Sequence, residues 1–157
     1  MESGGSIGTI LIMIFLIGMS AFFSSTETAF TSFNHARIKA LARGGNKRAK
    51  QALDLADNYD KLLSSILIGN NIVNILASSL ATVVFVAWLG GAGVSVSTVV
   101  MTVLVLIFGE ISPKTLAKDH ADQLVLAFAP YINFIMLLLT PLNWIFAQWR
   151  KLLARIF

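Results

Sequence analysis

The sequence predicts an all-α integral membrane protein with three transmembrane helices and a belt of helices beside the membrane. Charged residues make up only 13% of the 157 residues, against roughly 25% in soluble domains. Residues 3–26 and 62–109 contain no charged side chain at all, and about 20 mostly apolar residues are enough for a helix to cross a bilayer. The composition therefore argues against a soluble globule, and the length suits one domain covering residues 1–157.

The apolar stretches predict spans at about residues 7–28, 62–89 and 94–112. The first is predicted to be a retained span and not a cleaved signal peptide, because Glu2 is the only charge before it and no basic region precedes it. The second and third are separated by the uncharged, glycine-rich residues 90–93, which predict a tight loop.

The placement of basic residues predicts the orientation of the chain. Segment 34–61 contains seven lysines and arginines, so we expect it to be cytoplasmic, with the N-terminus and loop 90–93 outside. Because each basic block flanks a long apolar run, membrane topology explains the blocks better than nucleic-acid binding. The sequence of segment 34–61 predicts two helices separated at residues 44–46. These helices either form a solvated hairpin or contact anionic lipid headgroups.

The C-terminal stretch, about residues 122–157, is predicted to begin and end in the cytoplasm. Lys114 and Lys118 precede it, and basic residues return at Arg150, so a single crossing would violate the charge rule. We expect a pair of juxtamembrane helices bent at Thr140–Pro141. The alternative is a fourth full span with an external C-terminus.

Several kinds of chemistry are disfavoured by residue type. The chain has no cysteine and only two histidines, which excludes disulfides and thiolate sites and argues against a zinc site. Neither His35 nor His120 lies in a predicted span, where it would be needed to activate a serine inside the membrane. We therefore do not expect an enzyme.

Polar side chains interrupt all three predicted spans at a similar depth. Measured along each helix from its outer end, the patches lie roughly 25, 28 and 24 Å in. Such residues are costly inside a membrane, so their shared depth predicts one polar site between three helices, although Ser and Asn can also serve helix packing alone. The residues are Ser20, Ser24, Ser25 and Glu27 in the first span, Asn70, Asn71 and Asn74 in the second, and Gly109 and Glu110 in the third.

Glu110 gives this predicted site its charge. Pro113 has no N–H to offer the carbonyl of Gly109, so we expect a helix break at Pro113 that leaves this carbonyl free. Free carbonyls and a carboxylate at a helix end favour a cation. The alternative for Glu110 is an ion pair with Lys114, four residues on.

The available ligands are hydroxyl, amide, carbonyl and carboxylate oxygens. Such hard donors suit Mg²⁺, Ca²⁺ or Mn²⁺ better than copper or zinc. Na⁺ fits the same set of ligands, so residue types alone leave the ion open.

Three motifs at these positions, SSTETA at 24–29, LIGNNIVN at 67–74 and FGEISPKT at 108–115, together resemble the CorC/CNNM transmembrane domain. The resemblance covers nearly the whole chain. It implies a multi-pass plasma-membrane protein that exports Mg²⁺, with inward Na⁺ flow as a driving force. It also implies a homodimer of three-span subunits and cation ligands at Ser20, Ser24, Asn70, Gly109 and Glu110. We place a second rank of candidate site residues at Ser25, Glu27, Asn71 and Asn74.

Members of this family usually continue into cytoplasmic regulatory CBS domains. This chain ends at Phe157, so it resembles the isolated membrane domain, and it contains no nucleotide-binding motif of its own. The alternative function is a membrane-embedded sensor that binds Mg²⁺ without transporting it.

Overall fold

The structure, a computed structural model, describes residues 3–157, and their side chains from residue 7 onward. The described residues form helices and short connections without a strand, which confirms the predicted all-α class. A 3₁₀ turn, Gly90–Ala92, separates the fourth and fifth helices, and a π-helical segment, Val105–Ile111, joins the fifth to the sixth. The α-helices are α1 (Ser3–Ser32), α2 (His35–Arg43), α3 (Lys47–Asp57), α4 (Tyr59–Leu89), α5 (Gly93–Leu104), α6 (Ser112–Asp119), α7 (Ala121–Leu138) and α8 (Thr140–Ile156).

Three helical stretches are long and apolar enough to cross a membrane, namely Ile7–Ser32, Tyr59–Asp119 and Ala121–Leu138. The second is 61 residues long and reverses at the glycine-rich turn, so it contains the second and third predicted spans. Gly90 has a φ of 68°, which favours glycine. A Cβ on Gly93 would lie 2.6 Å from the backbone of Phe85, so glycine also lets α5 pack closely against α4.

α7 lies at the position of the predicted juxtamembrane pair, and α8 follows it after a turn at Leu139. At the start of α7, Asp122 pairs with Arg37 at 2.8 Å. Near its end, Met136 lines a cavity together with Asp54 and Lys61. Both ends of α7 therefore lie beside the basic segment 34–61, which supports a helix pair on one side of the membrane over a fourth full span.

The basic segment forms two helices separated at residues 44–46, as predicted. Asn34 and Asn46 cap α2 and α3 by accepting hydrogen bonds from the N–H groups of Arg37 and Ala49, at 3.1 and 3.0 Å. The segment is not solvated all round, because each helix buries one face in the core with α1 and α7. The buried residues of this face are Ile38, Ala49, Ala52 and Leu55.

The predicted helix break at Pro113 is wrong. The chain stays helical through this residue to Asp119, seven residues beyond the predicted end of the third span at 112. The segment before Pro113 is wound as a π-helix, and the N–H of Ser112 donates to the carbonyl of Ile107, five residues back. Pro113 falls in the first turn of α6, where a missing N–H is tolerated. A change of winding takes the place of the break.

Close packing of α1 against α4 and the π-helical segment positions the polar residues. The ring of Phe23 lies directly on Gly69, and a Cβ on Gly69 would overlap it. Likewise a Cβ on Gly109 would lie 2.9 Å from Ser20 Oγ. These two glycines bring α4 and the π-helical segment against the middle of α1.

Candidate cation site

Asn70 is the centre of the polar cluster that joins the three helical segments. Its Oδ1 accepts hydrogen bonds from Ser20 Oγ at 2.8 Å and from Asn74 Nδ2 at 3.4 Å. Its Nδ2 donates to Glu110 Oε1 at 2.8 Å. The structure thus brings polar residues of the three predicted spans together, since one amide bonds to both of the other segments.

The carbonyl of Gly109 lies in the same cluster. Ser20 Oγ is 3.5 Å from this carbonyl oxygen, and the Ser20 side chain is fully buried. Gly109 and Glu110 are consecutive residues of the π-helical segment. Hydroxyl, amide, carbonyl and carboxylate oxygens are thus gathered between α1, α4 and the π-helical segment.

Ser24 and Asn74 supply buried oxygen atoms that lack partners. Ser24 Oγ and Asn74 Oδ1 have no hydrogen-bond partner within the part of the chain that the structure describes, and Ser24 is only 1% exposed. Ser24 lies one turn from Ser20 on the same face of α1. A buried polar atom without a partner is costly, so these oxygens are candidates for binding a cation.

Thr26 shows by contrast how a hydroxyl in this helix is normally satisfied. Thr26 Oγ1 donates to the carbonyl of Phe22 at 2.7 Å, the usual bond to the preceding turn. Ser24 makes no such bond in the described structure. The absence of a hydrogen-bond partner at Ser24 is therefore not a general property of the serine and threonine hydroxyls in α1.

Lys114 bridges the two carboxylates near the cluster. Its Nζ lies 3.4 Å from Glu110 Oε2 and 3.8 Å from Glu27 Oε2. The ion pair considered as the alternative role of Glu110 is therefore present, but Glu110 also accepts the Asn70 bond on its other oxygen. Among the described contacts, Lys114 is the residue that links Glu27 to the cluster. The four-residue spacing of Glu110 and Lys114 signalled their pair, whereas no sequence signal pointed to the contact with Glu27.

The remaining second-rank residues lie at the margin of the cluster or outside it. Ser25 Oγ donates to the carbonyl of Pro113 at 3.5 Å and so links α1 to α6. Asn71 is exposed and lines a groove between α4 and α8 with Phe146. Asn71 therefore faces away from Asn70, and the structure does not bring it to the predicted site.

The charge of the cluster is low for a metal site. No group of three or more His, Asp or Glu side chains suited to a metal ion occurs among the residues the structure describes. The two histidines lie elsewhere: His35 stacks on Phe33 with ring centroids 4.1 Å apart, and His120 lies between α6 and α7. Any cation here would be held by neutral oxygens and one carboxylate, a set that suits a hard ion held with modest affinity.

Comparison with known proteins matches this chain to one family. The model of the cyclin M transmembrane N-terminal domain, CNNM, matches residues 11–157. A UPF0053 protein of Haemophilus influenzae is 40% identical, over 93% of this chain and 35% of its own length. The UPF0053 inner membrane protein YfjD of Escherichia coli is 38% identical, over 87% of this chain and 32% of its own length.

A chloroplastic DUF21 domain-containing protein of Arabidopsis thaliana is 36% identical over 85% of this chain and 20% of its own length. The chain thus spans about a third or less of these relatives. The family match includes all three polar motifs, and the apolar helices that carry them are long enough to cross a membrane. This chain belongs to the CNNM family of membrane proteins.

Proposed function

We propose that this chain forms the ion path of a divalent-cation transporter and that Mg²⁺ is its substrate. The observation that carries the proposal is the convergence of Ser20, Asn70, Gly109 and Glu110. The buried, unpaired Ser24 hydroxyl lies one helical turn from Ser20 on the same face of α1. Hard oxygen donors with a single carboxylate suit Mg²⁺. Membership of the CNNM family supports a role in cation transport.

Both oxygens of Glu110 already have partners, so binding of Mg²⁺ requires an exchange of contacts. The Lys114 ammonium occupies one side of the carboxylate and the Asn70 amide the other. An arriving Mg²⁺ displaces Lys114 toward Glu27, its second carboxylate. The Ser20 hydroxyl and the Asn70 carbonyl oxygen then replace part of the hydration shell, while the ion keeps some of its water because full dehydration is costly.

The proposed cycle is alternating access that exports Mg²⁺, with inward Na⁺ flow as the coupled driving force. π-helical segments occur frequently at functional sites, and Val105–Ile111 carries both Gly109 and Glu110. A change in its winding moves these two residues relative to α1 and α4. The site then opens alternately to the two sides of the membrane.

The proposal extends to assembly and location. We propose a homodimer in the plasma membrane, with an external N-terminus, a cytoplasmic C-terminus, and regulation by CBS domains in a full-length chain. The basic segment 34–61 supports this orientation, and a relative described as an inner membrane protein supports the location. Nothing in the chemistry of the cluster calls for catalysis or nucleic acid.

The experiment that tests transport is Mg²⁺ flux in sealed vesicles. The protein is reconstituted with a Mg²⁺-sensitive dye inside the vesicles, with and without a Na⁺ gradient. We expect flux that saturates with Mg²⁺, rises with the gradient and is abolished by Glu110→Ala, which should leave the oligomeric state unchanged. Saturable binding without flux would instead favour the sensor function, and unchanged flux in Glu110→Ala would overturn the assignment of the site.

Lys114→Gln is expected to raise the affinity for Mg²⁺ by about 3- to 10-fold, because it removes a positive charge that competes for Glu110. The effect should shrink at high salt, since Lys114 is 40% exposed. Titration calorimetry at two salt concentrations checks this, with Lys118→Gln as the matched control, since Lys118 is in none of the described ion pairs. Weaker binding in Lys114→Gln would show that Lys114 supports the site instead of competing with the ion.

A further inference from the structure

α8 is the helix with the least packing in the described structure. Asn143 is its one buried residue, and Asn143 Nδ2 donates to Ser65 Oγ of α4 at 2.7 Å. The rest of the helix exposes large apolar side chains, among them Trp144 and Trp149, together with basic residues. Leu142, Phe146 and Trp149 share one apolar face of this helix. An exposed helix that combines an apolar face with aromatic and basic residues is typical of a helix that lies in the membrane interface.

A groove of about 540 Å³ separates α8 from α4 beyond the Asn143 contact. Its two walls follow helical spacing, so each wall is a single helix face. The walls are largely apolar, with Arg150 at one end. They include Leu67, Ile68 and Ile75 of α4, and Leu142, Phe146 and Trp149 of α8.

A second, polar cleft of about 640 Å³ lies between α8 and the start of α4. Residues 57–61 line it on one side, and Ala147, Arg150 and Lys151 line it on the other. Arg150 therefore borders both the apolar groove and the polar cleft. The two spaces together offer an apolar compartment that ends at a guanidinium group, the arrangement that suits an amphiphile.

The cations of the polar cleft are not neutralised by ion pairs. Between residues 7 and 157, the ion pairs are those of Arg37 with Asp122 and of Lys114 with Glu27 and Glu110. Lys61, Arg150 and Lys151 have no carboxylate within pairing distance in that range. Asp57 and Asp60 also line the cleft and weaken its positive charge without cancelling it. The cleft therefore favours a ligand with one negative charge.

We propose that the groove between α4 and α8 binds one anionic phospholipid. One acyl chain lies along the apolar groove against Phe146 and Trp149, and the phosphate binds the guanidinium of Arg150 at its end. Arginine suits this role because its planar donors match phosphate oxygens. The anionic cytoplasmic leaflet supplies such a lipid at the depth of an interfacial helix.

A second copy of the chain fits the same groove less well. Two copies meeting around a twofold axis would each present the same patch. A contact centred on this groove would bring Arg150 and Lys151 of one copy close to the same residues of the other. The uncompensated positive charge therefore favours a lipid as the occupant.

Quenching of Trp149 by brominated lipid tests the proposal. Trp88→Phe and Trp144→Phe leave Trp149 as the sole tryptophan. The protein in mixed micelles is titrated with phosphatidylglycerol or phosphatidylcholine, each with dibrominated acyl chains. We expect phosphatidylglycerol to reach the same degree of quenching at a concentration about fivefold lower than phosphatidylcholine. A preference of this size is what one arginine bound to an anionic headgroup provides. Arg150→Gln should abolish this preference and Arg150→Lys should keep part of it.

Arg155→Gln is the matched control, because Arg155 has the same charge on the same helix but lines neither cavity. It should retain the preference for phosphatidylglycerol. Equal quenching by the two lipids, or an equal loss in the Arg155 and Arg150 variants, would overturn the proposal. Efficient cross-linking between two copies through Leu142→Cys, with Trp149 shielded from both lipids, would overturn it in favour of a protein partner. The titration contains no Mg²⁺, so its outcome is independent of the proposed transport.

Discussion

Replacing Glu110 with glutamine is expected to weaken Mg²⁺ binding on the order of 100-fold, or about 2.7 kcal/mol. Glu110 is the carboxylate that bonds directly to Asn70, and the other oxygens of the cluster are neutral. The substitution keeps the shape and leaves an oxygen for Asn70 Nδ2, so the fold should be retained. Titration calorimetry on the purified protein measures the loss.

Glu27→Gln is the matched control, because Glu27 also contacts Lys114 but makes no bond to Asn70 or Ser20. Its affinity for Mg²⁺ should change by less than about threefold, as for a partly exposed charge. Equal binding by wild type and Glu110→Gln would leave Glu110 as a structural carboxylate paired with Lys114. The transporter proposal would then depend on family membership alone.

Asn70→Leu is expected to abolish measurable Mg²⁺ binding and also to lower the thermal stability. The change removes three hydrogen bonds at once and leaves Ser20 Oγ, Asn74 Nδ2 and Glu110 Oε1 without this partner. Each partly buried group left unpaired costs about 1–3 kcal/mol. The thermal midpoint in detergent should fall by several degrees, and calorimetry should show no saturable heat.

Asn133→Leu provides the matched control on α7, since Asn133 lines a cavity with Asp54 and Lys61 and lies outside the cluster. It should bind Mg²⁺ as wild type does. The double variant Asn70→Leu, Glu110→Gln adds a test of coupling, because residues in one hydrogen-bonded network are not additive. Its thermal midpoint should lie close to that of Asn70→Leu alone. Additive losses would show that the two residues act separately.

The convergence of the polar residues could be predicted because it depends on quantities that sequence supplies. The rise per residue is fixed in a helix, so counting from the outer ends placed the three patches at one depth. The four-residue spacing of Ser20 and Ser24, and of Asn70 and Asn74, placed each pair on one face. Regular helix geometry was therefore sufficient to predict that the three segments meet, without knowledge of the side-chain conformations.

The winding before Pro113 could not be predicted in the same way. Because proline lacks an N–H, one helical hydrogen bond is lost. Both a helix break and a π-helical turn are compatible with that loss. Packing decides between them: Gly109 lies against Ser20 and α6 continues along α1, which holds the chain in a helix. The hydropathy pattern carries no information about such contacts between residues that are far apart in the sequence.

The side-chain contacts of Lys114 and Asn71 could also not be predicted from the sequence. Lys114 reaches Glu27 because α6 lies beside α1, a distance that only the fold determines. Asn71 shares a polar motif with Asn70, yet one residue along a helix turns the side chain by about 100°. The groove beside α8 to which it turns could not be inferred from the apolar pattern of either helix.

The π-helical segment accommodates an additional residue within a membrane helix. Compared with an α-helix, a π-helical turn holds about one additional residue. Rewinding Val105–Ile111 as an α-helix would release that residue and rotate α6 by about 100° relative to α5, with a shift of about 1.5 Å. Such a step would carry Glu110 away from Asn70 while α1 and α4 stay in place. The position of one additional residue along the helix would then decide whether the proposed ion site is assembled.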